Sequence, residues 1–490
     1  MDYREKTVLV VGAGRSGTAS ARFLLGRGAR VILSDSKKRE ALEPAVSGLL
    51  ESAARSSGEL TLELGGNPGE SYAAADLVIV SPGIPLSLPF LEISRKAGIP
   101  VIAEIELAYR HLKGKILGIT GSNGKTTTTT LTVELLTGAG MKARAAGNIG
   151  TPLIQFVDES TNDDIYVVEL SSFQLEAISA FRPFAAALLN LTPDHIDRHG
   201  GFEEYIAAKA RIFMNQTAGD FAVLNADDPR TAAMAASAYP CGARNAECGA
   251  ESRPAEISVR AKTLLFSRKG EVAAGAFVRK DRVIFRGDDG EKELFPVDAI
   301  RMKGAHNLEN VLASSLLALS TGAPPESLPE SIRKFHGVEH RLEHVASIGG
   351  VAYFNDSKAT NVDAVIKALE AFEGGIHLIA GGRDKDGDFA ALRPLVGERV
   401  KQVILIGEAS EKMRRALSGA AEICSAASLP EAVALGRASA GRGDVVLLAP
   451  ACASFDMFEN FEHRGRVFKE AVCSFSAEPA PPSFQTTTEG

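Results

Sequence analysis

The sequence predicts an α/β chain of three domains: Rossmann-like over 1–104, a P-loop-type mononucleotide-binding domain over 105–337, and a second Rossmann-like domain over 338–475. Residues 476–490, rich in Pro, Ser, Thr and Glu, read as a disordered tail. Three observations carry this prediction. A complete Rossmann glycine fingerprint follows the first apolar run. A second glycine loop, ending in Lys-Thr, lies between an apolar run and a helix-like segment near residue 121. Three more parallel-type strands follow residue 350, two with polar loops at their C-terminal ends. A length of 490 residues suits three domains at about 150 each.

Composition narrows the class. Apolar residues are 45% and charged residues 23%, as in ordinary soluble globular proteins. A net charge of −7 argues against a general nucleic-acid binder. Five scattered cysteines without a C-x-x-C pattern suit a reducing compartment rather than a disulfide framework. No signal peptide or run of about 18 apolar residues is visible, so a cytoplasmic enzyme without membrane insertion is expected.

In the first domain, Thr7-Val8-Leu9-Val10-Val11 reads as a buried parallel strand. Gly12-x-Gly14-x-x-Gly17 follows, then a helix, then a strand ending at Asp35. Such a loop and helix N-terminus suit a diphosphate, and the acid suits a ribose hydroxyl. The fingerprint alone fits a nicotinamide dinucleotide or another phosphorylated ligand, but no hydride-transfer machinery is evident. Strand 76–80 ends in the rigid loop Ser81-Pro82-Gly83-Ile84-Pro85, where open α/β sheets bind ligands. Glu104 begins a helix bridging to the next domain.

The second domain opens on Gly121-Ser122-Asn123-Gly124-Lys125-Thr126. Backbone N–H groups of this loop and the positive end of the following helix make a phosphate cradle. Lys125 can reach the outer phosphates of a nucleoside triphosphate, and the Thr126 hydroxyl can ligate Mg²⁺. Ile119 stands where the longer Walker spacing wants glycine. Thr126 to Thr130 are five consecutive threonines, poor helix formers at a helix start. Glu169, ending a β-branched strand, is a candidate for the metal region; the plain alternative is a solvated strand-end carboxylate. Asp194, His195, Asp197 and His199 are four potential ligands in six residues. Zn²⁺ prefers more His or Cys, and Mg²⁺ fits a triphosphate loop better. A helix over 202–214 carries Lys209, which pattern alone assigns to a solvated face. Residues 257–295 read as antiparallel hairpins on the sheet edge. His306, Asn307 and Asn310 open a long apolar helix, partly as caps, with Asn307 and Asn310 one turn apart.

In the third domain, His336, His340 and His344 are spaced by four, but Gly337 argues against a helical zinc face. The loops after three strands carry Lys358 and Thr360, Lys385, and Ser454, a set that suits a small anion.

Taken together these motifs resemble the Mur ligase family, nearly end to end and sparing only the tail. The matching residues are Ser81-Pro82-Gly83-Ile84, 121–126, Gly147-Asn148-Ile149-Gly150, 169–175, Asp194-His195, 304–310, His340-Arg341, 355–361, and 450–454 with Phe461-Glu462-x-Arg464-Gly465. The last run, and the lack of a diaminopimelate- or lysine-selecting signature, favour the branch that adds D-glutamate. Another amino-acid-adding branch, or an NAD-linked oxidoreductase on the first glycine loop, are the alternatives.

The resemblance implies an ATP-dependent ligase of cytoplasmic peptidoglycan precursor synthesis, acting as a monomer. Arg15, Ser16, Thr18, Asp35, Ser81, Gly83 and Asn148 would bind the UDP-bearing substrate, UDP-N-acetylmuramoyl-L-alanine. Gly121, Ser122, Asn123, Gly124, Lys125, Thr126, Thr127, Asn310, Arg341 and Asp356 would bind ATP. Thr126, Glu169 and His195 would hold Mg²⁺, with Lys209 if it is carbamylated, which turns a cation into an anionic oxygen ligand. Lys125, His195 and Lys209 are thus the catalytic candidates. Lys358, Thr360, Lys385, Ser454 and Phe461 would surround D-glutamate. The implied chemistry moves the γ-phosphoryl group to the L-alanyl carboxylate, and the D-glutamate amine then attacks the acyl phosphate. Arg383-Asp384, just before Lys385, is a charged departure in that loop.

Overall fold

The first strand, Thr7–Val11 (β1), is apolar after its half-buried threonine, and Val8 to Val11 are buried, each contributing roughly 1.5–3 kcal/mol. It is the centre of a five-stranded parallel sheet in the order β3-β2-β1-β4-β5. Its partners are Arg30–Asp35 (β2), Glu59–Leu64 (β3), Leu77–Val80 (β4) and Val101–Ala103 (β5). The order reverses between β1 and β4, which sets the glycine loop after β1 against the Ser81 loop after β4. The computed structural model describes residues 2–66, 69–193, 199–236, 239–241, 255–384 and 387–475.

A nine-stranded sheet forms the second domain, in the order β16-β15-β14-β13-β10-β9-β6-β8-β7. Lys115–Thr120 (β6) lies between Asp164–Glu169 (β8) and Ala185–Leu188 (β9); Lys142–Gly147 (β7) is the outer edge, and Phe221–Asn225 (β10) follows β9. Tyr239–Cys241 (β11) and Ala255–Ile257 (β12) pair apart from it. Of the expected edge hairpins, Lys262–Ser267 (β13) instead runs parallel to β10. Antiparallel pairing in this sheet is confined to Gly275–Arg279 (β14) with Arg282–Gly287 (β15) and β15 with Gly290–Pro296 (β16).

Six strands make the third sheet, in the order β17-β18-β22-β19-β20-β21. They are Glu343–Ile348 (β17), Val351–Asn355 (β18), Ile376–Gly381 (β19), Val400–Ile406 (β20), Glu422–Ser425 (β21) and Val445–Leu448 (β22). All pairs are parallel except β17 with β18.

The chain divides into two compact units. The first holds residues 1–300 and 308–335, and so both of the first two sheets; the second holds 301–307 and 336–490. The helix Glu104–Tyr109 binds the two sheets of the first unit together. Glu106 is fully buried, and its carboxylate accepts from the backbone N–H groups of Ser179, Ala180 and Phe181 and from Arg110. Burial alone would raise its pKa, but these donors hold it below the usual carboxylate range. Glu104 accepts from Ile154 N–H at 2.8 Å. Among the described residues no helix is long and apolar enough to cross a membrane.

Candidate active site

The phosphate-type loop leaves β6 and is flanked on both sides, by the end of β8 and the end of β9. Gly121 and Gly124 have φ of 147° and 85°. A side chain at Gly124 would also meet Asn310: its Cβ would sit 2.2 Å from Asn310 Oδ1. The loop is held by Asn190, two residues past the end of β9. Asn190 Oδ1 accepts from Asn123 N–H at 2.8 Å, and its Nδ2 donates to Asn123 O at 3.1 Å. Ser122 Oγ donates to Thr192 O and accepts from Thr192 N–H, both at 2.9 Å. Its single proton is thereby used, so the Tyr205 hydroxyl, 2.9 Å away, is the donor in their contact.

Lys125 Nζ donates to Gly121 O and Ser122 O, both at 2.8 Å. Lys209 Nζ donates to the same Gly121 carbonyl at 2.9 Å and lies 4.6 Å over the Tyr205 ring. The solvated-face reading of Lys209 is therefore wrong: its side chain is buried, at 2% exposure. Its helix, Phe202–Ala210, is buried from Tyr205 onward, so helical spacing alone could not separate an inner from an outer face. Two ammonium groups thus converge on one carbonyl of a glycine loop, whose backbone N–H groups suit an anion.

Beside the lysines lies a carboxylate. Glu169, buried at the end of β8, accepts from Thr126 Oγ1 at 2.8 Å and from Asn148 Nδ2 at 3.2 Å. Hydroxyl and carboxylate oxygens at a phosphate loop are the hard donors that Mg²⁺ prefers, so this set fits the ion. Asn148, expected at the UDP-bearing substrate, is thus tied to Glu169. His195 lies outside the described residues. The threonine run gains a partial account. Thr128 Oγ1 contacts Asn310 Oδ1 at 3.3 Å, whereas the Thr127 and Thr129 hydroxyls are buried without a hydrogen-bond partner among the described residues.

In the first sheet the fingerprint glycines divide by role. A Cβ at Gly17 would lie 1.8 Å from Gly12 O, and one at Gly12 would lie 2.9 Å from Ser81 Cβ, whereas one at Gly14 meets nothing within 4 Å. Gly12 and Gly17 serve packing, and Gly14 leaves the loop open. Asp35 braces the loop by accepting from Ala13 N–H at 2.8 Å and from Lys37 N–H at 2.9 Å. Ser81 Oγ donates to Gly12 O, and Thr18 Oγ1 to Gly14 O. Arg15 Nη1 reaches Gly150 O at 3.3 Å. Ser16 is half-buried, and Gly83 lies on the exposed loop after β4.

In the second unit, the loops after β18 and β22, neighbours in the sheet, are joined by Ala451 N–H to Ala359 O at 2.9 Å. Lys358 Nζ lies 5.5 Å over the Phe461 ring, Thr360 is half-buried and Ser454 is buried. Asp356 is buried, and burial raises its pKa to about 6 against the pull of Arg341. His306 is pushed down to about 4, by burial and then by Arg341 and Lys367. Lys385 lies outside the described residues. The charges before it are engaged elsewhere: Arg383 pairs with Glu408 and Asp384 with Lys412.

Residues 6–103 match the Mur ligase MurD-like N-terminal domain, 119–318 the Mur ligase middle domain, and 340–452 the Mur ligase glutamate ligase domain. The UDP-N-acetylmuramoylalanine--D-glutamate ligase of Koribacter versatilis is 49% identical over 474 residues, 96% of this chain and 98% of that one. The chain belongs to the Mur ligase family. The ligase of the same name from Acidobacterium capsulatum is 48% identical over 96% of this chain and 97% of its own. Among solved Mur ligase structures, the MurF ligase from Thermotoga maritima in complex with ADP superposes with a TM-score of 0.57 at 17% identity, over 91% of this chain and 96% of that chain. A pseudomurein peptide ligase type C from Methanothermus fervidus gives 0.55 at 19%, over 96% and 100%. These two similarities concern the fold. Membership in the Mur ligase family decides the reading of the first glycine loop against the NAD-linked oxidoreductase.

Several residues of this Mur ligase were not singled out by pattern. Asn190 grips the phosphate loop from the neighbouring strand end, and Tyr205 lies one helical turn before Lys209. Arg464 is fully buried: its guanidinium donates to Ser357 Oγ, Ser357 O and Cys452 O. Its position in the Phe461-Glu462-x-Arg464-Gly465 motif was the available signal. Of the three spaced histidines, His340 joins Glu339 and Glu343 in a cluster whose ligand atoms lie within 4.8 Å. Lys469 Nζ already sits 2.9 and 2.7 Å from those two carboxylates, so the chain supplies its own cation there.

Proposed function

We propose that the chain is an ATP-dependent carboxylate–amine ligase. It joins D-glutamate to the L-alanyl carboxylate of UDP-N-acetylmuramoyl-L-alanine through an acyl phosphate, as a cytoplasmic monomer making peptidoglycan precursor. The observation that carries the proposal is the buried cluster at the phosphate loop, where Lys125 and Lys209 share Gly121 O and Thr126 donates to Glu169. The similarity to D-glutamate ligases along nearly the whole chain supports the choice of substrates.

The cluster's chemistry follows from its charges. A carboxylate is a poor electrophile, because amide formation from it would expel oxide. Phosphorylation turns that oxygen into a leaving group. Lys125, released from its loop carbonyls, can follow the γ-phosphate, and the loop N–H groups hold the remaining phosphates. Thr126 and Glu169 would hold Mg²⁺, joined by Lys209 if carbamylated. When bound, Mg²⁺ offsets phosphate charge. The first glycine loop, open at Gly14, would take the UDP diphosphate. Lys358 and Ser454 would face the carboxylates of D-glutamate.

ADP release that requires both UDP-N-acetylmuramoyl-L-alanine and D-glutamate tests the reading. Turnover with a different amino acid would move the chain to another branch of the family. Release without either acceptor substrate would make it an ATPase instead.

A further inference from the structure

We propose that His199 is a positioning residue of the phosphoryl-transfer site, acting through Tyr205; the proposal rests on the ligase reading above. The side chain of His199 is 1% exposed and touches both the helix Ser172–Glu176 and the helix Phe202–Ala210. Its Nε2 lies 2.8 Å from Ser172 Oγ, and its Nδ1 lies 2.7 Å from Glu176 Oε1. Two bare acceptors cannot approach so closely, so Nδ1 carries the proton. The contact with Glu176 is bent rather than an aligned hydrogen bond. In the neutral ring Nε2 is then the acceptor of the Ser172 hydroxyl. Ser172 and Glu176 are four apart on the helix Ser172–Glu176, so they grip the ring from one face.

The ring's faces are also engaged. It stacks on Phe173 at 4.9 Å with planes 5° apart, and meets Tyr205 edge-on at 5.3 Å. Tyr205 holds Ser122 of the phosphate loop through its hydroxyl and carries Lys209 over its ring. The helix that grips His199 begins three residues after Glu169. His199 therefore clamps the segment following the Glu169 strand to the helix that bears Tyr205 and Lys209. A Ser-His-Glu sequence of contacts also occurs in hydrolase triads. Ser172 here is 3% exposed, so its hydroxyl is no nucleophile for a substrate, and orientation is the role that remains.

The prediction is selective. Loosening Tyr205 disturbs Ser122 and Lys209, which face the nucleotide, and leaves the first sheet untouched. The test uses the full chain and measures ADP and UDP-N-acetylmuramoyl-L-alanine binding by calorimetry in the same samples. His199→Phe keeps the ring contacts and loses both polar ones, and Glu176→Ala removes the orienting carboxylate from a part-exposed position that the fold tolerates. Glu176→Gln keeps an acceptor oxygen. Both His199→Phe and Glu176→Ala should weaken ADP about tenfold, leave the UDP substrate's Kd unchanged, and lower kcat; Glu176→Gln should stay near the unsubstituted chain. Unchanged ADP affinity in both variants, or equal losses for both ligands, overturns the proposal. Failure of the unsubstituted chain to bind ADP would instead overturn the ligase reading.

Discussion

At the residue scale the site depends on a few charges whose positions are over-determined. Lys125 bonds to Gly121 O and Ser122 O, carbonyls of its own loop, so its removal should cost little stability. Lys125→Ala should lower kcat by about 10²–10³-fold or more, with a thermal midpoint within a few degrees of the unsubstituted chain's; a retained ADP-release rate would remove Lys125 from the chemistry. Arg464 is the opposite case. Its guanidinium joins the backbones of the Ser357 and Cys452 loops, and Ser357 Oγ passes the connection to Phe461 O. Arg464→Met strands those buried carbonyls and frees the loops carrying Lys358 and Ser454. The KM for D-glutamate should rise by about 10–100-fold, given how strongly sub-ångström placement matters, with the KM for the UDP substrate unchanged. Equal rises for both substrates in steady-state kinetics would count against it. The lysine at the phosphate loop was legible because its spacing to glycines encodes a phosphate cradle. Lys209 was not, since burial depends on which elements later cover its helix.

At the element scale the helix Lys125–Gly138 begins where local propensity opposes it. Its first turn is buried on all sides: Thr126, Thr127, Thr128 and Thr129 are each at most 6% exposed. Tertiary packing thus overrides threonine's weak preference. Since the Thr129 hydroxyl is buried without a partner, Thr129→Val should raise stability by about 0.5–1.5 kcal/mol in urea unfolding, with ADP affinity unchanged. A loss of stability would mean that the hydroxyl has a partner after all. Gly124→Ala attacks the turn before the helix. It combines a φ of 85° with a Cβ directed at Asn310 Oδ1, so it should cost about 1–3 kcal/mol and weaken ADP binding. The elements missed by sequence pattern share a cause. Strands β3, β7, β17 and β21 lie at sheet edges and carry mixed polarity, whereas the central strands announce themselves as apolar runs.

At the scale of the whole molecule, the three sheets and their order along the chain were legible in alternating apolar runs and glycine loops. The bridging helix at Glu104 was legible too, but the burial of its two carboxylates was not, because the N–H groups that receive them come from residues 50 to 75 positions further on. Glu106 is paid back by its N–H donors. Glu104 is less well served: Oε1 accepts from Ile154 N–H, but Oε2 is buried without a partner among the described residues. Burial raises its pKa to about 7, against the backbone N–H groups of Ile154 and Leu153 that lower it. The folded chain therefore binds more protons than the unfolded chain between about pH 4.5 and pH 7. Stability contributed by this group is fully present below the unfolded pKa and declines as pH rises through about 7. The loss is on the order of 3 kcal/mol, from roughly 1.4 kcal/mol per pKa unit. Glu104→Gln has a similar shape and no titration, so its own unfolding free energy should not carry that decline. Chemical denaturation at pH 5 and pH 8 measures the difference. The substituted chain should gain about 2–3 kcal/mol on the unsubstituted one between those two values, and parallel pH profiles would show that Glu104 does not couple the junction to protons.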